Sequence, residues 1–161
     1  MSESQATFTH VPGGEGEALV VTGGTVTCKL SGQETGAAYS LWDVVTAPGK
    51  GPRRHQHHGQ DEDFYVLEGE VRVVSGEETV TVRPGDFVRV PRETVHSYTV
   101  TSAEPCRMLI VLTPPGGIED FWREIGIPIS ETSAPPPPPG STNFGEIAEI
   151  ARGQGTEFVD D

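Results

Sequence analysis

Cysteine is scarce in this 161-residue chain: there are two, Cys28 and Cys106, far apart in sequence. That spacing excludes a disulfide framework and a CxxC metal clip, and leaves buried thiols in a reducing compartment as the expectation. Basic residues are few as well, 11 Lys and Arg against 24 Asp and Glu, for a formal net charge of -13. Nucleic acid and anionic membrane both require a basic surface, so neither is an expected partner. No apolar run approaches the ~18 residues of a membrane-spanning helix. Met1 to Val11 has neither a basic nor an apolar leader-like stretch, so the expected location is cytoplasmic. Helical periodicity is missing from most of the chain.

What the chain has in quantity is turn residues, 20 Gly and 14 Pro, set between short apolar stretches. From Leu19 to Thr113 these stretches read as strands: Leu19–Val21, Thr25–Leu30, Tyr39–Thr46, Phe64–Val74, Thr79–Arg83, Phe87–Val90, Ser97–Val100 and Met108–Thr113. Turn signals such as Gly23-Gly24, Pro48-Gly49, Ser75-Gly76 and Pro84-Gly85 separate them. Many short strands at close spacing predict an all-β sandwich or barrel in one domain, large enough to bury roughly 70% of its unfolded surface.

Around this region the composition shifts. Residues 1–18 are polar and Gly-rich, an arm without regular structure. Within the barrel unit, 19–126, Ile118, Phe121, Trp122 and Ile125 recur at i, i+3, i+4 and i+7 and predict a helix over Ile118–Gly126. Residues 127–140 form a Pro-rich linker, with Ser133–Gly140 extended as polyproline II. In 141–161 a second small helix is expected, capped by Ser141 or Thr142, and then a strand over Thr156–Val159. Nine acids against two bases fall between 119 and 161, and this acidic tail is not where an active site is expected.

The chemistry concentrates in His55-Gln56-His57, Glu62 and His96. Residues i and i+2 of a strand share a face, so His55 and His57 project side by side while Gln56 turns away. Glu62 stands at the entrance of the next strand, with Asp61 and Asp63 as competing carboxylates. His58 reads as a neighbouring or surface residue and His10 as solvated. An imidazole and carboxylate set suits one divalent transition metal, Fe, Mn, Ni, Co, Cu or Zn, without selecting among them.

These residues also carry a family resemblance. Gly49-x5-His55-x-His57-x4-Glu62-x6-Gly69 and Gly85-x5-Pro91 followed by His96 are similar to the two ordered motifs of the cupin superfamily. Phe64-Tyr65-Val66-Leu67-Glu68-Gly69 and Pro84-Gly85-Asp86-Phe87-Val88 resemble single-domain cupins of the quercetin 2,3-dioxygenase-like group. The resemblance implies a jelly-roll or conical β-barrel, short C-terminal helices packed on it, a metal held by His55, His57, Glu62 and His96, and a homodimer. Two positions depart from the pattern: Glu93 stands where the second motif has glycine, and Val100 where it has asparagine. A glutamate at a turn requiring positive φ is expected to change the shape of that turn.

Strand parity extends the site into an expected substrate pocket. Inward parity from the histidines gives Arg53, from Glu62 gives Phe64 and Val66, and from His96 gives Tyr98 and Val100; Trp42 and Met108 are further candidates whose register is open. Such apolar walls suit a small aromatic or enolisable substrate. Glu62 either stays a ligand or takes a proton from a substrate hydroxyl as general base. Resemblance to the quercetinases implies a dioxygenase. An isomerase, cyclase or lyase of secondary metabolism using the same residues, and a small-molecule-binding protein without catalysis, are the alternatives.

Overall fold

The computed structural model describes residues 7–129 and 143–160; the expected polyproline segment Ser133–Gly140, and Ser141 and Thr142, lie outside them. The strands are β1 (Glu17–Val21), β2 (Gly24–Leu30), β3 (Ser40–Thr46), β4 (His55–His57), β5 (Asp61–Glu68), β6 (Val71–Ser75) and β7 (Glu78–Val82). They continue with β8 (Phe87–Val90), β9 (His96–Val100), β10 (Cys106–Thr113), β11 (Ile127–Pro128) and β12 (Thr156–Phe158), with helices α1 (Gly117–Ile125) and α2 (Phe144–Gly153) among them. They form two sheets, ordered β11-β1-β2-β3-β10-β5-β8 and β12-β4-β9-β6-β7. The all-β expectation holds.

Alternation explains the core. In β10, Cys106, Met108, Ile110 and Leu112 are buried, and the residues between them are only partly so. β5 buries Glu62, Phe64 and Val66, and β9 buries His96, Tyr98 and Val100. Inner faces of the two sheets therefore meet in one hydrophobic cluster that includes Trp42, Val44, Phe64, Val66, Val73, Tyr98 and Met108. Burial of this apolar layer is the main favourable term holding the sheets together.

The sequence pattern misleads in one place. Phe64–Val74 reads as a single strand, yet the chain leaves the first sheet at Glu68 and enters the second at Val71. The break is at Gly69, which has φ 78° and where a Cβ would lie 2.8 Å from both the Cys106 Cα and the Pro105 carbonyl oxygen. Only glycine accommodates both the left-handed backbone and that close approach. Strand β11 was not signalled either; it pairs with β1 through Leu19 and Val20.

Helix α1 packs Ile118 and Phe121 inward, and Trp122 meets Trp42 edge-on with centroids 5.1 Å apart. Its first turn is tied down by the buried Glu119, whose carboxylate accepts from the Gly116 amide at 2.7 Å and from Gln60 at 3.1 Å. The cap of α2 is Asn143, which accepts from the Gly145 amide. It precedes the first helical residue, Phe144, and so takes the place expected for Ser141 or Thr142.

Two expectations follow for stability. Replacing Gly69 with Ala should lower the unfolding free energy by at least about 1–3 kcal/mol, the cost of a strained φ, measured by denaturant titration. Burial pushes the Tyr98 phenol up to about 12, against the opposing hydrogen bond with Thr46. The unfolded phenol ionises near ~10, so the unfolded state loses its proton first and stability falls as pH rises from about 10 towards about 12. Thermal melts across that window should show this component in the native protein and not in Tyr98→Phe.

Candidate metal centre

Four side chains from three strands meet between the sheets. β4 carries His55 and His57 on one face, and β9 pairs with it so that His96 stands opposite His55. Glu62 comes from β5 of the other sheet and faces them across the interior. Ring centroids lie 4.3 Å apart for His55 and His96, 4.8 Å for His55 and His57, and 5.3 Å for His57 and His96. One donor atom from each of the four residues falls within 4.8 Å of all the others, and all four residues are buried. Sequence spacing predicted this set, and the fold assembles it.

The choice among three adjacent acids is decided by which face each occupies. Asp61 accepts from Arg92 and Arg89 on the outer side, and the hydrogen bonds from Arg92 hold its carboxyl below the ordinary range. Asp63 shares that face and lies 3.6 Å from Arg89. Glu62, between them, points inward by strand parity. Its Oε2 lies 3.1 Å from His57 Nε2 and 3.0 Å from His96 Nε2. Burial pulls its pKa upward, but the hydrogen bonds and charges of His57 and His96 outweigh it and hold the carboxylate ionised.

Outer partners fix the rings. His55 Nδ1 is 2.7 Å from the Arg53 carbonyl and His96 Nδ1 is 2.9 Å from the Thr94 carbonyl. A carbonyl only accepts, so both rings carry hydrogen on Nδ1, and in the neutral ring Nε2 presents a lone pair to the cluster. Burial, then the neighbouring His96 and His57, lower the His55 pKa to about 3, which keeps that ring neutral. On His96 burial opposes a charge, yet the hydrogen bond and charge of Glu62 prevail and raise its pKa. With Nδ1 committed to Thr94, His96 can face Glu62 only by carrying a second proton or by sharing a cation with it. Three imidazole nitrogens and one carboxylate oxygen in that position fit a single divalent transition-metal ion.

A model of the cupin domain family matches residues 42–112, a span that contains all four donors. This segment is a cupin domain. The chain is 41% identical over 88 residues to quercetin 2,3-dioxygenase of Bacillus subtilis (strain 168), covering 53% of this chain and 26% of that enzyme. It is 30% identical over 123 residues to quercetin 2,3-dioxygenase of Aspergillus japonicus, covering 71% of this chain and 34% of that enzyme. The chain thus spans about a quarter to a third of the length of these curated relatives. Among solved structures, the polyketide cyclase RemF from Streptomyces resistomycificus superposes with a TM-score of 0.59 at 22% identity, over 66% of this chain and 80% of that one. That likeness speaks to the fold.

The other expected site residues divide between the interior and the surface. Trp42, Phe64, Val66, Tyr98, Val100 and Met108 belong to the packed core cluster, with Phe64 and Tyr98 in edge-on contact at 5.9 Å. Arg53 does not point inward: it is exposed, and its guanidinium lies 4.0 Å over the Phe144 ring of α2. The short β4 begins only at His55, so inward parity does not extend back to Arg53. A groove of about 400 Å³ lies between the edges of β7 and β8, lined by Val73, Ser75, Val80, Val82, Phe87 and Val88 among others. Glu78, Asp86 and Arg89 also line it, and none of the four donors does.

Glu93 takes φ 63° itself, so the turn keeps the left-handed conformation despite the glutamate, at a cost on the order of 1–2 kcal/mol. Its amide donates to the His57 carbonyl at 2.8 Å, which ties the turn to β4 and leaves His96 in place. His58 is exposed between Glu93 and Glu157, at 2.8 and 2.9 Å, and His10 is exposed.

The acidic tail reaches the site, against expectation. β12 pairs with β4 in the register Thr156 to His57 and Phe158 to His55. Thr156 Oγ1 lies 2.8 Å from His57 Nδ1, and the Phe158 ring is 5.9 Å from His55. The strand pattern at Thr156–Val159 was readable, but its partner across about 100 residues was not. Gln60 was missed too; it donates to the Pro114 carbonyl and accepts from the Ile118 amide, joining the connection between β4 and β5 to α1.

Elemental analysis of the purified full chain should find close to one transition-metal ion per chain. His55→Ala and His96→Ala, each removing a donor, should weaken that binding by more than the roughly 10–100-fold that loss of an outer partner costs.

Proposed function

We propose that the chain is a mononuclear metal-dependent enzyme acting on a small aromatic or enolisable substrate, with quercetinase-like dioxygenase chemistry as the leading reading. The observation that carries it is the buried convergence of His55, His57, Glu62 and His96 donors within 4.8 Å, inside a segment that matches the cupin domain. Identity of 41% with a quercetin 2,3-dioxygenase supports the finer assignment.

A bound divalent ion would act as a Lewis acid, lowering the pKa of a substrate hydroxyl brought to it. The three histidines and Glu62 would hold that ion; His55, kept neutral chiefly by burial, offers its Nε2 lone pair. Glu62 is ionised, with Oε2 3.1 and 3.0 Å from the His57 and His96 ring nitrogens, so it is the carboxylate placed to take the hydroxyl proton of a substrate brought to the site. The buried apolar layer of Phe64, Val66 and Val100 excludes water from the inner side of the cluster. In the dioxygenase reading, the deprotonated substrate supplies electrons to dioxygen, whose two atoms end in the ring-opened product.

Oxygen uptake with a flavonol as substrate tests this. Turnover should require dioxygen, and Glu62→Gln should lower kcat by roughly 10²–10⁴-fold, the usual contribution of a positioned general base. Turnover that persists under strict anaerobiosis would instead assign a non-oxygenative isomerase, cyclase or lyase.

A further inference from the structure

His57 differs from the other two histidines in what holds its outer nitrogen. His55 and His96 lean on backbone carbonyls of the residue two positions earlier, Arg53 and Thr94. These partners come with the strands themselves. Nδ1 of His57 meets a side-chain hydroxyl, Thr156 Oγ1, at 2.8 Å from a residue 99 positions away. Thr156 is buried, at 2% exposure, so bulk water is not at hand to take over its bond.

From this we infer that Thr156 is the positioning residue for His57 and that strand β12 is an integral part of the metal centre. The inference rests on the metal-centre reading above. For His57 to share a cation with Glu62, which is 3.1 Å from its Nε2, Nε2 must present its lone pair, and the hydrogen then lies on Nδ1, where the Thr156 hydroxyl accepts it. Removing the hydroxyl leaves a buried ring nitrogen without a partner and the His57 ring free to tilt or take the other tautomer.

The surrounding contacts fix where that hydroxyl sits. β12 pairs with β4 over three residues, the His58 amide donates to the Gly155 carbonyl at 2.8 Å, and the Val159 amide donates to the Arg54 carbonyl at 2.9 Å. Phe158 packs between His55 and Phe144, with centroids at 5.9 and 5.2 Å. Arg53 in turn covers Phe144. Backbone pairing and an aromatic stack thus hold β12 against the outer side of the two histidines on β4.

The test compares the full-length native protein with Thr156→Val, which keeps the shape and removes the hydroxyl, and Thr156→Ser, which keeps the hydroxyl and removes the methyl. Cobalt(II) affinity is measured by competition with a chelator, its visible absorption reports the ligand geometry, and melts of the metal-free proteins report the fold. Thr156→Val should bind cobalt roughly 10–100-fold more weakly with an altered spectrum, and Thr156→Ser should restore both to near native values. If Thr156→Val melts below the assay temperature, Thr156→Ala is measured in the cold with the same expectation. Native affinity and spectrum in the hydroxyl-free variant would overturn the inference and leave the metal centre standing, as would equal weakening by Val and Ser. Absence of stoichiometric cobalt binding by the native protein would overturn both.

Discussion

A buried carboxylate facing buried imidazoles is the constraint on which the rest of this structure depends. Glu62 Oε2 stands 3.0 and 3.1 Å from two ring nitrogens in an interior without bulk water. Such a group is costly to bury unless its charge is compensated. Compensation requires the sheet that carries Glu62 and the sheet that carries the histidines to close on each other in one register. The core cluster supplies the closing force, and the same alternation that buries Phe64 and Val66 turns Glu62 inward.

Closure depends on the chain changing sheets at particular points. Gly69 allows β5 and β6 to belong to different sheets although their residues read as one continuous strand. Glu93 accepts a left-handed backbone to bring β9 back beside β4. The tail then pairs with β4 and places a hydroxyl and an aromatic ring behind two of the histidines. Site and scaffold are therefore hard to separate: the strand that presents two of the donors is only three residues long and relies on neighbours from both directions.

Much of this was legible locally. Two-residue periodicity placed His55 beside His57, Glu62 with Phe64 and Val66, and His96 with Tyr98 and Val100, because side chains alternate along a strand whatever its partner. Two ordered motifs placed the cupin domain. Parity failed at Arg53, which precedes the three-residue β4 and turns out towards Phe144. It also could not tell an apolar wall from a packed core, since both consist of inward-facing apolar side chains.

The sequence by itself determined the donor set, the strand faces that present it and the β-rich class of the fold, all of which follow from alternation and turn residues acting over a few positions. Tertiary structure alone decided where an apparent single strand divides between two sheets, and that Thr156 comes to lie against His57. These outcomes depend on pairing between residues up to about 100 positions apart, and local periodicity carries no information about which strand edge a distant segment will meet.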